Sequence, residues 1–193
     1  MAWWRRPRGD RSAAPRPDRS PKDVPAGVLP ELQRGEQVLA TAQEDASGHW
    51  VVLTTWRLLE RTTEGGSVTE RPWHEVDSGA WDPDEWLLTV DFVDGGDPRR
   101  WRLRDRTGPG SVPVVLRDRT TASVVLTRGV DLGPRRTARV TVRKVLDTRE
   151  LVEQVLLGPG ARLVDAQLAR AVHEARRDVR DQAGLDPDPP QLA

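Results

Sequence analysis

The stretch WVVLTTWRLLERT, residues 50–62, carries the strongest structural pattern in this sequence. β-Branched, aromatic and aliphatic residues alternate along it at period two, which predicts one long β-strand. The alternation places Trp50, Trp56 and Leu58 on one face and Arg57 on the other. We therefore expect this strand to be the spine of the fold, with both tryptophans buried and the Arg57 charge kept at an edge.

The composition indicates a soluble protein and excludes several functional classes. Hydrophobic residues make up 36% of the 193 positions and mean hydropathy is −0.62, with no apolar run of the roughly 18 residues that a membrane span needs. The lack of cysteine excludes disulfides, cysteine-ligated zinc, iron–sulfur clusters and thiol catalysis. Thirty basic residues balance thirty acidic ones, which argues against a dedicated nucleic-acid binder.

The N-terminal residues lack the apolar core of a secretory signal, because MAWW is followed at once by Arg5 and Arg6. We therefore expect a cytoplasmic protein. Lysine occurs only at Lys22 and Lys144, and all other basic residues are arginine. This bias is typical of codon usage in a GC-rich genome, such as that of an actinobacterium.

Composition also predicts the domain boundaries. Residues 1–24 are rich in arginine and proline and offer almost nothing to a core, so we expect a disordered N-terminus. Residues 184–193, GLDPDPPQLA, form a second predicted disordered tail. Between them we expect a single domain over residues 28–183.

Strand and turn signals follow one another through the first half of that domain. Residues 36–43 predict a strand that turns at residues 46–48 into the central one. Residues 65–66, Gly-Gly, predict the next turn, and residues 67–76 a third strand in which Pro72 indicates an edge or a bend.

Residues 84–105 predict a hairpin around a Gly-Gly turn. The register that gathers the apolar residues on one face sets Trp101 opposite Val90 and Arg100 opposite Asp91. Trp86 would join the buried apolar face.

Residues 111–120 fit either a strand or a short helix with Ser111 as N-cap and Pro113 in its first turn. Residues 121–145 predict a further hairpin, which turns near residues 133–134.

Two helices are predicted at the end of the domain, over residues 148–157 and 161–182. Gly184 follows the second helix as a C-cap. This helix carries a single apolar stripe formed by Val164, Leu168, Ala171, Val172, Ala175 and Val179.

Over about residues 34–105 the sequence resembles a bacterial pleckstrin-homology-like domain. The residues that carry the resemblance are Gly35-Glu36, Thr54 or Thr55 with Arg57-Leu58, and the segment 73–76. The resemblance implies a mainly β fold, an antiparallel, partly closed barrel or two-sheet domain with a C-terminal amphipathic helix. It also implies a scaffold for protein or lipid contacts without catalytic residues. Because such a domain has seven strands and one closing helix, the hairpin at residues 121–145 is extra to it.

Histidines and acidic residues do not form a recognisable catalytic or metal-binding pattern. His74 has no second histidine four residues on, and His49 and His173 lie far away in sequence. No nucleophile elbow, P-loop or dinucleotide-binding fingerprint occurs. We therefore predict no catalytic residue, no cofactor and no metal. The remaining acidic groups have turn chemistry and are expected in turns: Asp82, Asp84, Glu85, Asp94 and Asp97.

Two arginine-rich segments are candidates for contact with a membrane or with phosphate. The first comprises Trp3, Trp4, Arg5, Arg6 and Arg8, and the second comprises Arg100, Arg102 and Arg104 within the run at residues 99–106. Both also fit a purely structural interpretation, the first as an incidental disordered end and the second as a solvated outer face that pairs with Asp91.

The sequence thus predicts a non-enzymatic cytoplasmic interaction module that binds a protein partner. The alternative is a peripheral binder of anionic membrane, through the N-terminal tryptophan and arginine residues and the arginine-rich strand. Nucleic acid is not an expected partner.

Overall fold

The computed structural model describes residues 24–185, and its contacts divide the chain after Thr121 into two compact units. We call residues up to 121 unit 1 and the remainder unit 2. The single domain expected over residues 28–183 spans both of these units. The tails expected at residues 1–24 and 184–193 lie outside the described residues, except for Val24, Gly184 and Leu185.

The described part of unit 1 contains two antiparallel sheets followed by a helix, α1, at Val112–Ser123. A short 3-10 turn at Trp73–Glu75 joins the two sheets. The first sheet is β1 Val38–Gln43, β2 Trp50–Thr54, β3 Arg57–Arg61 and β4 Ser67–Pro72, and the second is β5 Val76–Asp82, β6 Leu87–Phe92 and β7 Arg99–Arg102.

The run at residues 50–62 is not the single strand that its alternation predicts, but the hairpin of β2 and β3. Across this two-residue turn, the even-numbered residues of β2 lie opposite odd-numbered residues of β3 and share their face of the sheet. Trp50 therefore lies opposite Arg61, and Arg57 shares the face of Trp50 instead of facing away from it. Trp50 is buried as expected, whereas Trp56 lies in the turn and is only half-buried.

The turn contains no glycine, proline, asparagine or aspartate, so sequence alone does not reveal it. It is closed instead by the Thr54 hydroxyl, which accepts hydrogen bonds from the N–H groups of Trp56 at 3.1 Å and Arg57 at 3.0 Å. The N–H of Thr55 donates to the Gln37 carbonyl at 2.9 Å and fixes the turn on the start of β1.

The hairpin predicted over residues 84–105 is confirmed as β6 and β7, with a register shifted by two residues. Trp101 lies opposite Leu88 rather than Val90, because the connecting loop is longer than the Gly-Gly turn assumed. A shift of two residues keeps each side chain on its predicted face. Trp101 and Leu88 are accordingly both buried.

Helix α1 decides between the alternatives left open for residues 111–120, with Pro113 in its first turn. Its Leu116 is fully buried against β5 at Gly79. A Cβ atom at Gly79 would lie 2.5 Å from Leu116 Cδ2, so glycine provides the space that this side chain occupies.

Unit 2 is an antiparallel sheet with one face covered by a helix. The predicted hairpin at residues 121–145 is confirmed, and the sheet order is β10-β9-β8. Buried apolar residues of β9 pack against the buried stripe of α2, which includes Leu168, Val172, Ala175 and Val179. The elements are β8 Val124–Asp131, β9 Thr137–Lys144, β10 Leu151–Leu157 and α2 Ala166–Ala183.

The helix predicted at residues 148–157 is wrong, because Leu151–Leu157 is strand β10 and pairs with β9 along its whole length. Six of the seven residues of β10 are half-buried, so no alternation marks the segment as a strand. Its apolar spacing fits a helix equally well, and only pairing with β9 decides between the two.

The second predicted helix is confirmed but begins later, at Ala166. Asp165 is its N-cap and accepts hydrogen bonds from the N–H groups of Gln167 and Leu168. Gly184 ends the helix in the left-handed conformation, as expected. Val164 therefore precedes the helix and is 90% exposed, which corrects its predicted place in the buried stripe.

A mainly β fold with a C-terminal helix is thus confirmed. Within residues 24–185 the strands form three separate antiparallel sheets and no closed barrel.

Replacing Leu116 by alanine should lower the free energy of unfolding by about 2–5 kcal/mol, as for other large-to-small core changes. Chemical denaturation followed by circular dichroism measures the loss. Val114→Ala, on the same helix at a residue that is 53% exposed, is the matched control and should cost about 0.5 kcal/mol or less. Equal losses in the two variants would contradict the packing of α1 on β5.

Candidate functional site: the outer face of the second sheet

A buried ion pair lies beneath the β2–β3 turn, and it shows what Arg57 does. Arg57 Nε donates to Glu36 Oε1 at 2.8 Å and Arg57 Nη2 to Glu36 Oε2 at 3.0 Å, a bidentate geometry. The Thr54 hydroxyl adds a bond of 2.6 Å to Oε1, and the Gln33 N–H one of 3.1 Å to Oε2. Glu36 is 6% exposed, so its carboxylate depends on these donors.

The same guanidinium holds two more segments. Its Nη2 donates to the Glu31 carbonyl at 2.8 Å, and its Nη1 pairs with the Glu70 carboxylate on β4. Arg57 therefore links the segment before β1 to the hairpin of β2 and β3 and to β4. It is a structural residue rather than part of a binding site.

Burial by itself would raise the pKa of Glu36, but the hydrogen bonds from Arg57 and Thr54 outweigh it and hold the pKa below its ordinary value. The Glu36 carboxylate in turn raises the pKa of Arg57. The pair is therefore charged at neutral pH. Glu36, Thr54 and Arg57, on which the resemblance in sequence partly rests, are thus in direct contact.

A second carboxylate organises the segment after β7. The two oxygens of Asp45, in the β1–β2 turn, accept hydrogen bonds from the N–H groups of Arg104, Asp105 and Arg106 at 2.9, 2.9 and 3.3 Å. Burial by itself would raise the pKa of Asp45, but the hydrogen bonds from these donors outweigh it and hold the pKa below its ordinary value. The backbone beyond β7 is thus held by one acidic residue.

The arginine run at residues 99–106 does not form a single stripe. The distance from Arg99 Nη1 to the buried Glu60 carboxylate is 4.0 Å. The same carboxylate contacts His49 Nδ1 at 3.0 Å. Alternation along β7 puts Arg100 and Arg102 on the opposite, outer face of the sheet.

Arg100 and Arg102 are exposed on this outer face and form few ion pairs. No residue in the described part of the chain pairs with the Arg100 guanidinium. Its predicted partner Asp91 instead accepts a hydrogen bond from Ser78 Oγ at 2.6 Å, because Arg100 lies opposite Thr89. Arg102 Nη2 lies 3.5 Å from a Glu85 oxygen, with both side chains more than half exposed.

Trp86, in the turn before β6, is exposed, whereas sequence reasoning placed it in the buried apolar set. It is 36% exposed and its φ of 54° is left-handed, because the turn before β6 ends at this residue. Its ring meets Trp81 edge to face, with centroids 6.3 Å apart. A strained, exposed tryptophan is a feature more common at functional sites than elsewhere. The run of turn residues at 82–85, just before Trp86, was the sequence signal that could have indicated its exposure.

We define the outer face as the surface of β5–β7 formed by Leu87, Thr89, Arg100 and Arg102. It brings together two of the eight predicted contact residues, whereas Arg104 lies beyond the end of β7. The other five predicted residues lie outside the described residues: Trp3, Trp4, Arg5, Arg6 and Arg8.

The acidic residues at two turns have the structural role expected of them. Asp82 Oδ1 accepts hydrogen bonds from the N–H groups of Asp84 at 2.9 Å and Glu85 at 3.1 Å. Asp94 Oδ1 accepts one from Gly96 at 3.3 Å.

Between residues 24 and 185, no group of three or more histidine or acidic residues is arranged to hold a metal ion. His74, expected in a strand, lies in the 3-10 turn beside Trp73. None of the described helices is long and apolar enough to cross a membrane.

Comparison of the chain with protein-family models, curated proteins and solved structures finds no match.

Replacing Arg57 by methionine should lower the free energy of unfolding by about 3 kcal/mol or more, because it leaves the Glu36 charge buried without a cation. Adding Glu36→Gln to this variant should recover part of the loss, and urea denaturation of the full cycle measures the coupling. Arg100→Met, at an exposed position of the same unit, is the control. If Arg57→Met costs no more than the control, the ion pair does not organise the fold.

Stability should also depend on the protonation of Glu36. A carboxyl whose pKa is lowered on folding stabilises the fold above its unfolded pKa, and the contribution disappears as the pH falls through the folded pKa. The ordinary pKa of this group is 4.5. The destabilisation caused by Glu36→Gln should therefore be large at neutral pH and shrink in acid. A constant difference for Glu36→Gln down to about pH 3 would contradict this prediction.

Proposed function

We propose that this protein is a non-enzymatic interaction module and that the outer face of β5–β7 binds a protein partner. The observation that carries the proposal is the pair of exposed arginines, Arg100 and Arg102, on the outer face, with the exposed Trp86 in the turn that leads into β6. Arginine and tryptophan are the residue types that contribute most to binding energy in protein interfaces. A partner that offers carboxylates to the arginines and an apolar side chain to Trp86 would suit this face.

The charges around the face favour a protein over a bilayer. Asp82, Glu85 and Asp91 are exposed beside the two arginines, so the surface has mixed charge. Mixed charges give register and specificity with a partner that carries a complementary pattern. A surface of anionic lipid would instead be repelled by the three carboxylates.

We also infer that unit 1 is a pleckstrin-homology-like domain. Seven strands, four in one sheet and three in the next, followed directly by a helix, agree with that family's arrangement. The connected motif residues Glu36, Thr54 and Arg57 support the same inference. With this assignment, α1 is the closing helix and the hairpin of β8 and β9 belongs to unit 2.

The alternative function is peripheral binding to anionic membrane in the cytoplasm, through the N-terminal tryptophan and arginine residues and the arginine-rich strand. The Arg104 side chain favours it, because it is 63% exposed and its guanidinium pairs, among the described residues, only with the neighbouring Asp105 at 3.7 Å.

Site-specific photo-crosslinking in the native cell tests the protein-binding proposal. A benzoylphenylalanine placed at position 86 should give an adduct of defined mass, which is lost when Arg100→Glu and Arg102→Glu are introduced together. With the crosslinked protein purified, the same charge reversal should raise the Kd by about tenfold or more.

The matched control carries the crosslinker at position 174, an exposed residue of α2. The same adduct from both positions, or an adduct from position 86 that survives the charge reversal, would contradict the proposal. Binding to anionic vesicles that is lost on replacing Arg100 and Arg102 by alanine would favour the membrane alternative.

A further inference from the structure

One end of unit 2 carries a concentrated group of exposed apolar side chains. Two loops meet there, residues 132–136 between β8 and β9 and residues 158–165 between β10 and α2. The Gly158 N–H donates to the Thr137 carbonyl at 2.8 Å and holds them together. We define the loop cap by its four apolar residues and their exposed fractions: Leu132 40%, Leu157 40%, Leu163 49% and Val164 90%.

The local structure explains why these side chains point outward. Ala161 is 9% exposed and packs into the core of unit 2, while α2 begins only after Asp165. Leu163 and Val164 lie between these two fixed points. Leu168 is the first residue of the helix to be buried, so nothing in the stripe of α2 covers Val164.

Single exposed apolar residues are ordinary, but a contiguous group usually marks an interaction surface. Ten large apolar side chains are exposed in the described part of the chain, and four of them belong to this cap. Burying them would require a partner surface, because three of them sit on loops and Leu157 is the last residue of β10.

Exposed arginines flank the cap, and the exposed Asp131 beside it accepts a hydrogen bond from the Gly133 N–H at 3.0 Å. Arg135 and Arg162 are exposed, and no acidic side chain among residues 24–185 pairs with either. The nearby Asp165 is already occupied, since Arg136 Nε donates to it at 2.6 Å and it caps α2. The cap therefore presents apolar tips with two uncompensated arginines.

We propose that the loop cap docks unit 2 on an anionic lipid surface. Leu163 and Val164 enter the boundary between headgroups and acyl chains, and Arg135 and Arg162 contact lipid phosphates. Apolar loop tips with flanking arginines complement a deformable, negatively charged bilayer, which can close around a convex surface. The site is separate from the outer face of β5–β7 and does not rest on the function proposed for it.

The absence of native cysteine allows a direct test in the full chain. Val164→Cys is labelled with an environment-sensitive nitrobenzoxadiazole dye, and Val125→Cys, at another exposed valine of unit 2, is the matched control. With phosphatidylcholine vesicles that contain phosphatidylglycerol, emission from position 164 should shift to the blue and rise in intensity. Emission from position 125 should not change, and neither label should respond to phosphatidylcholine alone.

Vesicle sedimentation of unlabelled variants provides the second measurement. Leu163→Ser with Val164→Ser, and separately Arg135→Gln with Arg162→Gln, should each weaken binding by about tenfold. The paired control Arg170→Gln with Arg177→Gln, on the exposed side of α2, should bind as the unchanged protein does.

Three results would overturn the proposal. The first is no sedimentation with anionic vesicles. The second is sedimentation with anionic vesicles in which emission from the label at position 164 does not shift. This result is expected if the N-terminal tryptophans hold the protein on the vesicle, in which case Trp3→Ser with Trp4→Ser alone abolishes binding. The third is a change in self-association, detected by analytical ultracentrifugation, as the sole effect of the Leu163 and Val164 substitutions, because the cap would then contact a second copy of the chain.

Discussion

The buried pair of Glu36 and Arg57 is the interaction on which unit 1 depends. A carboxylate that is 6% exposed is tolerable only with its donors in place, and those donors come from separate segments. Arg57 also reaches Glu31 and Glu70, so the entry to β1, the β2–β3 turn and β4 must form together. The Thr54 carbonyl then accepts a hydrogen bond of 2.9 Å from Trp73 Nε1, where the chain passes into the second sheet.

The polar groups of unit 1 divide into those that hold the fold and those that face solvent. Glu36 and Asp45 are saturated with donors, and both have lowered pKa values for that reason. Arg100 and Arg102 have no comparable structural role and remain on the outer face. Unit 2 presents different chemistry, apolar loop tips beside unpaired arginines.

Several elements followed from sequence because short-range chemistry specifies them. The β6–β7 hairpin has its turn glycines and its alternation, and a register error of two residues left its faces unchanged. The C-cap at Gly184 and most of the buried stripe of α2 also followed from local signals. The two arginines of the outer face, Arg100 and Arg102, were identified from sequence. The exposed Trp86 was assigned to the core instead, because its left-handed backbone has no signature in the alternation.

Alternation, turn residues and helix caps are local properties, and they were sufficient for the mainly β class, most strands and the final helix. The hairpin within residues 50–62 was not accessible in this way, because its turn is closed by Thr54 and held by partners at Gln37 and Glu36 that are distant in sequence. Strand β10 likewise has a spacing compatible with a helix until β9 pairs with it. Hydrogen-bond partners brought together by folding therefore determined these two segments, and with them the face on which Arg57 lies.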